Sequence, residues 1–473
     1  MLGQTVMTKY GKLEGVCEDG CVVFKGVPYA MAPVGELRWR APKPPVPWSG
    51  TFKADHYGNR CAQVERFDDS SFYKKEFYND EIYATPISED GLYLNIWVPE
   101  EALGQSDGGA SQAGVFHQGG AQQTDGAAAG AKVPRKLPVA FYIHGGAFMG
   151  GCGHELEFRT NAYAKKGVIL VTINYRLGVF GFLAHPWLVK EDGAACGNYG
   201  IMDQIAALTW VQENIAAFGG DPENITIFGQ SAGCMSVQTL LSTPYAKGKF
   251  AKAILQSGAG YPVTIQREVP LEAALEVGQR VAKEAGADTL EALRAVPTER
   301  LYDIQGQIMM EMMMSGKGLA FTPVQNGIFR TAPYDELTRT GQTHNVPTMI
   351  GSTKNDITVT EDEVKKGYSR FQENCKGWAL EMEKVGHQPS YVYYFTRELP
   401  GDDAGAFHSS ELWYMFGTLG QCWRPMTEAD FELSRRMVSY WTNFMKNGAP
   451  GGEGLPEWPP CTAKNPFEMV FDI

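Results

Sequence analysis

The sequence lacks most of the features that would direct a chain to a membrane, to nucleic acid or to a metal. No apolar run approaches the roughly 20 residues that a membrane-spanning helix needs, and the opening MLGQTVMTKYGKLEG has no basic segment, apolar stretch and small-residue cleavage site of a secretory signal. Lys and Arg never form a run interleaved with aromatics. Acidic residues outnumber basic ones by 54 to 42, a formal net charge of −12, so nucleic acid and anionic membrane surfaces are poor partners. No cysteines have the CxxC…CxxC spacing of a structural zinc site. The nine cysteines (17, 21, 61, 152, 196, 234, 375, 422 and 461) are odd in number and scattered, which fits free thiols better than a disulfide framework; a local pair, Cys17 with Cys21 across the Glu18-Asp19-Gly20 turn, stays open. These absences predict a soluble, cytoplasmic protein without metal or other cofactor.

What is present is a globular composition. The 473 residues are 44% hydrophobic and include 10 Trp, enough to bury a large core. Short β-rich runs, FYI (141–143), VILVTIN (168–174), ITIF (225–228), AKAILQS (251–257), VPTMIGS (346–352) and YVYYF (391–395), alternate with helical patterns, so the chain reads as an α/β protein with a mostly parallel sheet. Apolar spacing places helices near 202–217, before a Gly-Gly-Asp-Pro breaker, and over 271–286. Residues 101–136, rich in Gly, Ala and Gln, read as a mobile surface insertion in one domain spanning 1–473. The cluster MMEMMM (309–314) reads equally as helix core filler or as a pliable apolar wall.

The sharpest chemical signal is ITIFGQSAGCMSVQTLL (225–241), in which a strand-like run meets Gly229-Gln230-Ser231-Ala232-Gly233 and then an amphipathic helix. This is the setting of a nucleophile elbow, where the flanking glycines leave room for a turn that lifts the Ser231 hydroxyl clear of the backbone. A second strand-like run enters His144-Gly145-Gly146-Ala147-Phe148. Small residues there let backbone N–H groups face a substrate oxygen, so Gly146, Ala147 and Ala232 are the candidate oxyanion donors. Only eight histidines exist. Hydrolases built on this elbow follow the chain order Ser, acid, His, which leaves 344, 387 and 408. His344 precedes its strand and His387 lies in a loop before YVYYF, whereas His408 follows that strand and is the candidate base.

Together these segments resemble the type B carboxylesterase family of α/β-hydrolases, which includes the cholinesterases. FKGVPYAMAPVGELRWRAPKPPVPWSG (24–50), SEDGLYLNIWVP (88–99), HGGAF, NYRLGVFGFL (174–183), the run from 197 to 233 and GAFHSSEL (405–412) look like family signatures in family order. The resemblance implies an α/β-hydrolase fold with a helical cap, a serine carboxylic-ester hydrolase working through an acyl-enzyme, Ser231 as nucleophile, His408 as base, and an acid in the turn after the strand ending at Gly351. It also implies that Arg38 with Glu89 and Arg176 with Asp203 are scaffold ion pairs.

The departures are informative. The family's cysteine in EDCLYLN is Gly91 here, leaving Cys61 without its usual partner and supporting a reducing compartment. Gln230 before the nucleophile, and no Trp from 51 to 87, argue against choline esters. The interval from acid to base is shorter than the family usually shows, which predicts a reduced cap. Where the family has Glu followed by Gly, this chain has Asp356 followed by Ile357. Asp356 is the preferred acid over Glu361, Asp362 and Glu363, which sit in a TEDEVKKG run that reads as a solvated helix start. Phe148, Trp413 and Phe416, near the catalytic segments, are candidate substrate-binding residues and suggest an aryl ester such as a hydroxycinnamate. Two alternatives stay open: a non-catalytic interaction protein on the same scaffold, and acyl transfer or thioester or amide cleavage with the same residues.

Overall fold

The apolar runs form the middle of a twelve-stranded sheet in this computed structural model, which describes residues 4–64, 71–79, 84–103, 136–265, 269–316 and 318–473. Most of the insertion expected at 101–136 lies outside the described residues. The strands are β1 (Gln4–Met7), β2 (Lys12–Glu18), β3 (Cys21–Pro28), β4 (Thr51–Lys53), β5 (Tyr93–Pro99), β6 (Leu137–Ile143), β7 (Ile169–Ile173), β8 (Gly220–Gln230), β9 (Lys252–Gln256), β10 (Thr348–Thr353), β11 (Ser390–Phe395) and β12 (Met469–Phe471). Their order is β1-β2-β3-β5-β7-β6-β8-β9-β10-β11-β12, with β4 paired to β2. From β7 to β12 all neighbours are parallel, while β1, β2, β3 and β5 form an antiparallel wing joined antiparallel to β7. Every residue of β7 and β9 is buried, as a parallel strand covered on both faces requires.

The helices that matter for the site are α1 (Phe72–Phe77), α2 (Tyr199–Asn214), α3 (Ala232–Leu241), α4 (Leu271–Glu284), α5 (Thr298–Met314), α6 (Glu361–Lys365), α7 (Arg370–Lys384), α8 (Glu411–Met415) and α9 (Glu428–Asn447). α2 and α4 fall close to their predicted spans. In α5 the methionine cluster divides: Met309 and Met312 pack on the core, and Met310, Met313 and Met314 are exposed.

β6 lies between β7 and β8, so the chain leaves it to one side and returns on the other. The loops leaving the C-terminal ends of β6 and β8 therefore open beside each other at a switch point, the usual ligand crevice of such sheets. Two buried ion pairs brace the scaffold. Arg38 grips Glu89 through Nε at 2.7 Å and Nη2 at 2.5 Å. Arg176 grips Asp203 through Nε and Nη2, both at 2.8 Å. All nine cysteines are free thiols. The open pair is not formed: Cys17 stands opposite Val22 and Cys21 opposite Glu18 across the β2–β3 hairpin. Cys61 donates its thiol to the Gly91 carbonyl at 3.4 Å.

Candidate active site

The elbow forms because β8 runs straight into α3 with Ser231 as the hinge. Ser231 has φ 57° and ψ −123°, a conformation that costs on the order of 1–3 kcal/mol and must be imposed by its surroundings. The chain imposes it by close packing: a Cβ on Gly233 would stand 2.0 Å from the Ile143 carbonyl oxygen, so only glycine lets α3 sit this near β6. The Ser231 amide donates to the Gln256 carbonyl at 2.9 Å, tying the hinge to β9.

The acid and base sit on loops after β10 and β11. These loops are joined one residue away from each side chain, where Asn355 and Phe407 form a bridge and the Asn355 amide donates to the Ala406 carbonyl at 2.9 Å. His408 Nδ1 donates to Asp356 Oδ1 at 2.5 Å. Asp356 also accepts the backbone amides of Thr353 at 3.0 Å and Ile357 at 2.8 Å, which orient it from behind. An ionised carboxylate only accepts, so it sets the tautomer and leaves His408 Nε2 with a lone pair. The Gln230 side-chain amide approaches that Nε2 at 3.2 Å. Burial alone would lower the His408 pKa; the Asp356 charge and hydrogen bond, helped by Glu411, outweigh it and leave the value raised. Glu411 is itself pushed up to about 8, by burial first and then by the Asp356 charge. The rival acids stay in solvent: Glu363 closes a capping box with Thr360 at the start of α6.

Gly146 and Ala147 face Ser231 and His408 across a cavity of about 300 Å³. The Gly146 carbonyl accepts the amides of Met149 and Gly150, a tight turn in which a Cβ on Gly146 would meet the Gly150 oxygen at 2.0 Å. Ala232 begins α3, so its amide is among those at the helix N-terminus, where partial positive charge collects. Donors so placed can stabilise an oxyanion formed at Ser231. His144, at the head of the loop, stacks on Tyr175, donates Nδ1–H to the Gly145 carbonyl at 2.9 Å, and is pushed down to about 4 by burial, so it is a neutral brace.

The three aromatics expected to bind substrate are placed elsewhere. Phe148, Trp413 and Phe416 are fully buried and do not line the cavity. Phe148 has φ 60° and packs on Phe182 at 5.1 Å. Trp413 stacks behind the wall residue Phe77 at 5.5 Å, and Phe416 lies behind Tyr142 and Phe158 at 5.0 and 5.4 Å. Closeness in sequence to a catalytic loop does not set side-chain direction.

The aromatic wall is instead made by Tyr73, Phe77, Tyr78, Tyr142 and Phe158, with Leu412 and Ile357. α1 and the residue after it supply the first three of these. α1 is held by its buried Glu76, which accepts Arg424 Nε at 2.9 Å and Trp423 Nε1 at 2.9 Å. Two further acids in the lining, Glu155 and Glu157, also went unread in the sequence; the available signal was a Glu-Leu-Glu-Phe run directly after the glycine loop. Among the described residues no cluster of three or more His, Cys, Asp or Glu could hold a metal ion, and no helix is long and apolar enough to cross a membrane.

Comparison with known proteins places the chain in a family. The Carboxylesterase family model matches residues 3–380 and 374–472. The para-nitrobenzyl esterase of Bacillus subtilis is 31% identical, over 100% of this chain and 95% of that protein. Among solved structures, a thermophilic para-nitrobenzyl esterase superposes with a TM-score of 0.80 at 30% identity, covering 99% of this chain and 96% of the other. The Geobacillus stearothermophilus carboxylesterase gives 0.74 at 32% identity, with 99% and 96% coverage. The chain thus has the α/β-hydrolase fold and belongs to the carboxylesterase family, whose serine-dependent hydrolysis of carboxylic esters is its activity.

Proposed function

We propose that Ser231 is the nucleophile, His408 the general base and Asp356 the orienting acid of this ester hydrolase, with the amides of Gly146, Ala147 and Ala232 as its oxyanion hole. His408 takes the Ser231 proton through Nε2, and the alkoxide attacks the ester carbonyl. The negative charge grows toward the oxyanion donors, and His408 returns the proton to the departing alcohol. Water, activated by the same base, then releases the acid and frees Ser231. The observation that carries this reading is the 2.5 Å Nδ1–Oδ1 hydrogen bond between buried His408 and buried Asp356, on the cavity that also holds the strained Ser231.

A cavity of about 300 Å³ with an aromatic wall supports small to medium esters that carry an aryl group. Only 52 residues separate acid from base, which supports a reduced cap on one α/β-hydrolase domain. Nine free thiols fit a reducing compartment, and we place the enzyme in the cytoplasm. The test is single-turnover hydrolysis of a p-nitrophenyl ester. Wild type should give a p-nitrophenol burst and label stoichiometrically at Ser231 with an organophosphonate; Ser231→Ala should do neither. A burst retained in Ser231→Ala removes the assignment.

A further inference from the structure

Ester cleavage leaves one polar corner of the cavity without a task. Glu155 and Glu157 flank Leu156 at the single 3-10 turn Leu156–Phe158, and both line the cavity although only 5% and 2% of their surfaces are exposed. Glu155 Oε1 accepts the Cys152 amide at 2.9 Å, and its carboxyl also takes the Tyr78 hydroxyl. The two carboxyls lie close enough for each to shift the other's pKa. Two acids buried this close resist ionising together, so the pair holds a proton near neutral pH. Burial pushes Glu155 up to about 7; burial and then the Glu155 charge push Glu157 well above the usual carboxylate range. Arg60 pulls Glu155 the other way, by less than burial does.

A second observation concerns polar atoms at the same corner. Glu157 Oε2 and the Tyr142 hydroxyl are both buried without a hydrogen-bond partner, and both residues line the same cavity. Leaving such groups unpaired is costly, and a bound group that pairs with them removes that cost. The Phe158 ring lies 4.5 Å from that of Tyr142, Tyr73 and Phe77 line the same cavity, and the negative faces of such rings attract cations.

We propose that this corner is a subsite for a primary or secondary ammonium group on the ester substrate, bound by the Glu155–Glu157 carboxyl pair and the Tyr142 hydroxyl oxygen. An ammonium carries only donors, and the unpaired Glu157 oxygen and Tyr142 oxygen both have lone pairs to accept them. Its charge also turns the like-charge repulsion of the pair into attraction, and the proton held by the pair leaves to solvent as the cation enters. A hydroxyl would bring one donor and leave that repulsion in place. A quaternary ammonium would bring charge and no N–H. The subsite rests on the serine-ester reading, since its ligand is part of the ester.

Inhibition of neutral-ester hydrolysis tests it in the wild-type enzyme with three benzyl probes that differ in the head group: benzylammonium, benzyl alcohol and benzyltrimethylammonium. Benzylammonium should inhibit at concentrations about 10-fold or more below either other probe, a difference of about 1.4 kcal/mol. The ratio should collapse toward one in the Glu155→Gln/Glu157→Gln double variant and shrink in Tyr142→Phe. In substrates, kcat/KM for an amine-bearing ester relative to its methyl-terminated isostere should follow the same order across the variants. Equal inhibition by the alcohol and the ammonium in wild type overturns the proposal. Tighter alcohol binding overturns it in favour of a hydroxyl subsite, and tighter trimethylammonium binding in favour of a purely aromatic one. If neutral esters are not cleaved and Ser231 is not labelled, the serine assignment has failed; if both occur without ammonium preference, only the subsite has.

Discussion

At one corner of the cavity Asp356 is buried beside a histidine and two backbone amides; at the other Glu155 and Glu157 are buried beside each other. Both corners withdraw acids from water, yet the electrostatic outcomes are opposite. Asp356 sits where every neighbour named donates to it, and its charge raises the His408 pKa against burial. The glutamate pair sits where burial dominates and the Glu155 charge adds to it at Glu157, so protons are held there near neutrality. Burial alone therefore does not define the role of an acid; the donors and charges buried with it do.

The comparison is most sharply broken at Asp356. Asp356→Asn puts an amide where Nδ1–H must be accepted, and kcat should fall by about 10,000-fold, while Glu363→Gln should leave kcat unchanged. A near-normal kcat in Asp356→Asn would make Asp356 no more special than the glutamates. Gly146→Ala comes next: its Cβ would collide with the Gly150 oxygen at 2.0 Å and displace the loop, and the loss of one donor slows turnover by about 100- to 1,000-fold. Steady-state kinetics with normal circular dichroism would check it.

pH then separates the corners. Because His408 must be neutral to act as base and its value is raised, kcat/KM should climb with pH through a limb above the ordinary histidine value of about 6.5. The stability contributed by the His408–Asp356 pair is complete below about pH 6.5 and is lost as pH rises through the raised native value. Glu155, at about 7 in the fold against an ordinary glutamate value of 4.5, binds more protons native than unfolded between those limits, so its contribution also falls as pH rises through that window. The smallest effect follows: Glu155→Gln should flatten the decline of stability between pH 4.5 and 7, by at most about 1.4 kcal/mol per pH unit. Urea unfolding at a series of pH values would measure it, and an unchanged slope would mean that Glu155 does not hold the proton.

Much of the framework was legible because it depends on local pattern. VILVTIN became β7 and AKAILQS became β9, since a short run with a continuous apolar centre suits a strand covered on both faces. The elbow was legible because its glycines answer a steric demand made within a few residues. The cavity wall was not. Tyr73 and Phe77 come from α1, a six-residue helix with no long periodic pattern, anchored by a Glu76–Arg424 contact spanning 348 residues. Phe148 is adjacent to the oxyanion loop, but its positive φ sends the ring to Phe182.

By itself, then, the sequence determined the glycine-flanked turn at Ser231, the chain order of Ser231, Asp356 and His408, and the choice of strands, because these are written in residue type and short spacing. Tertiary structure alone decided which aromatics line the cavity and which two glutamates are buried together at its edge. Those outcomes depend on distances between segments far apart in the chain, and on how much water is excluded when the segments meet.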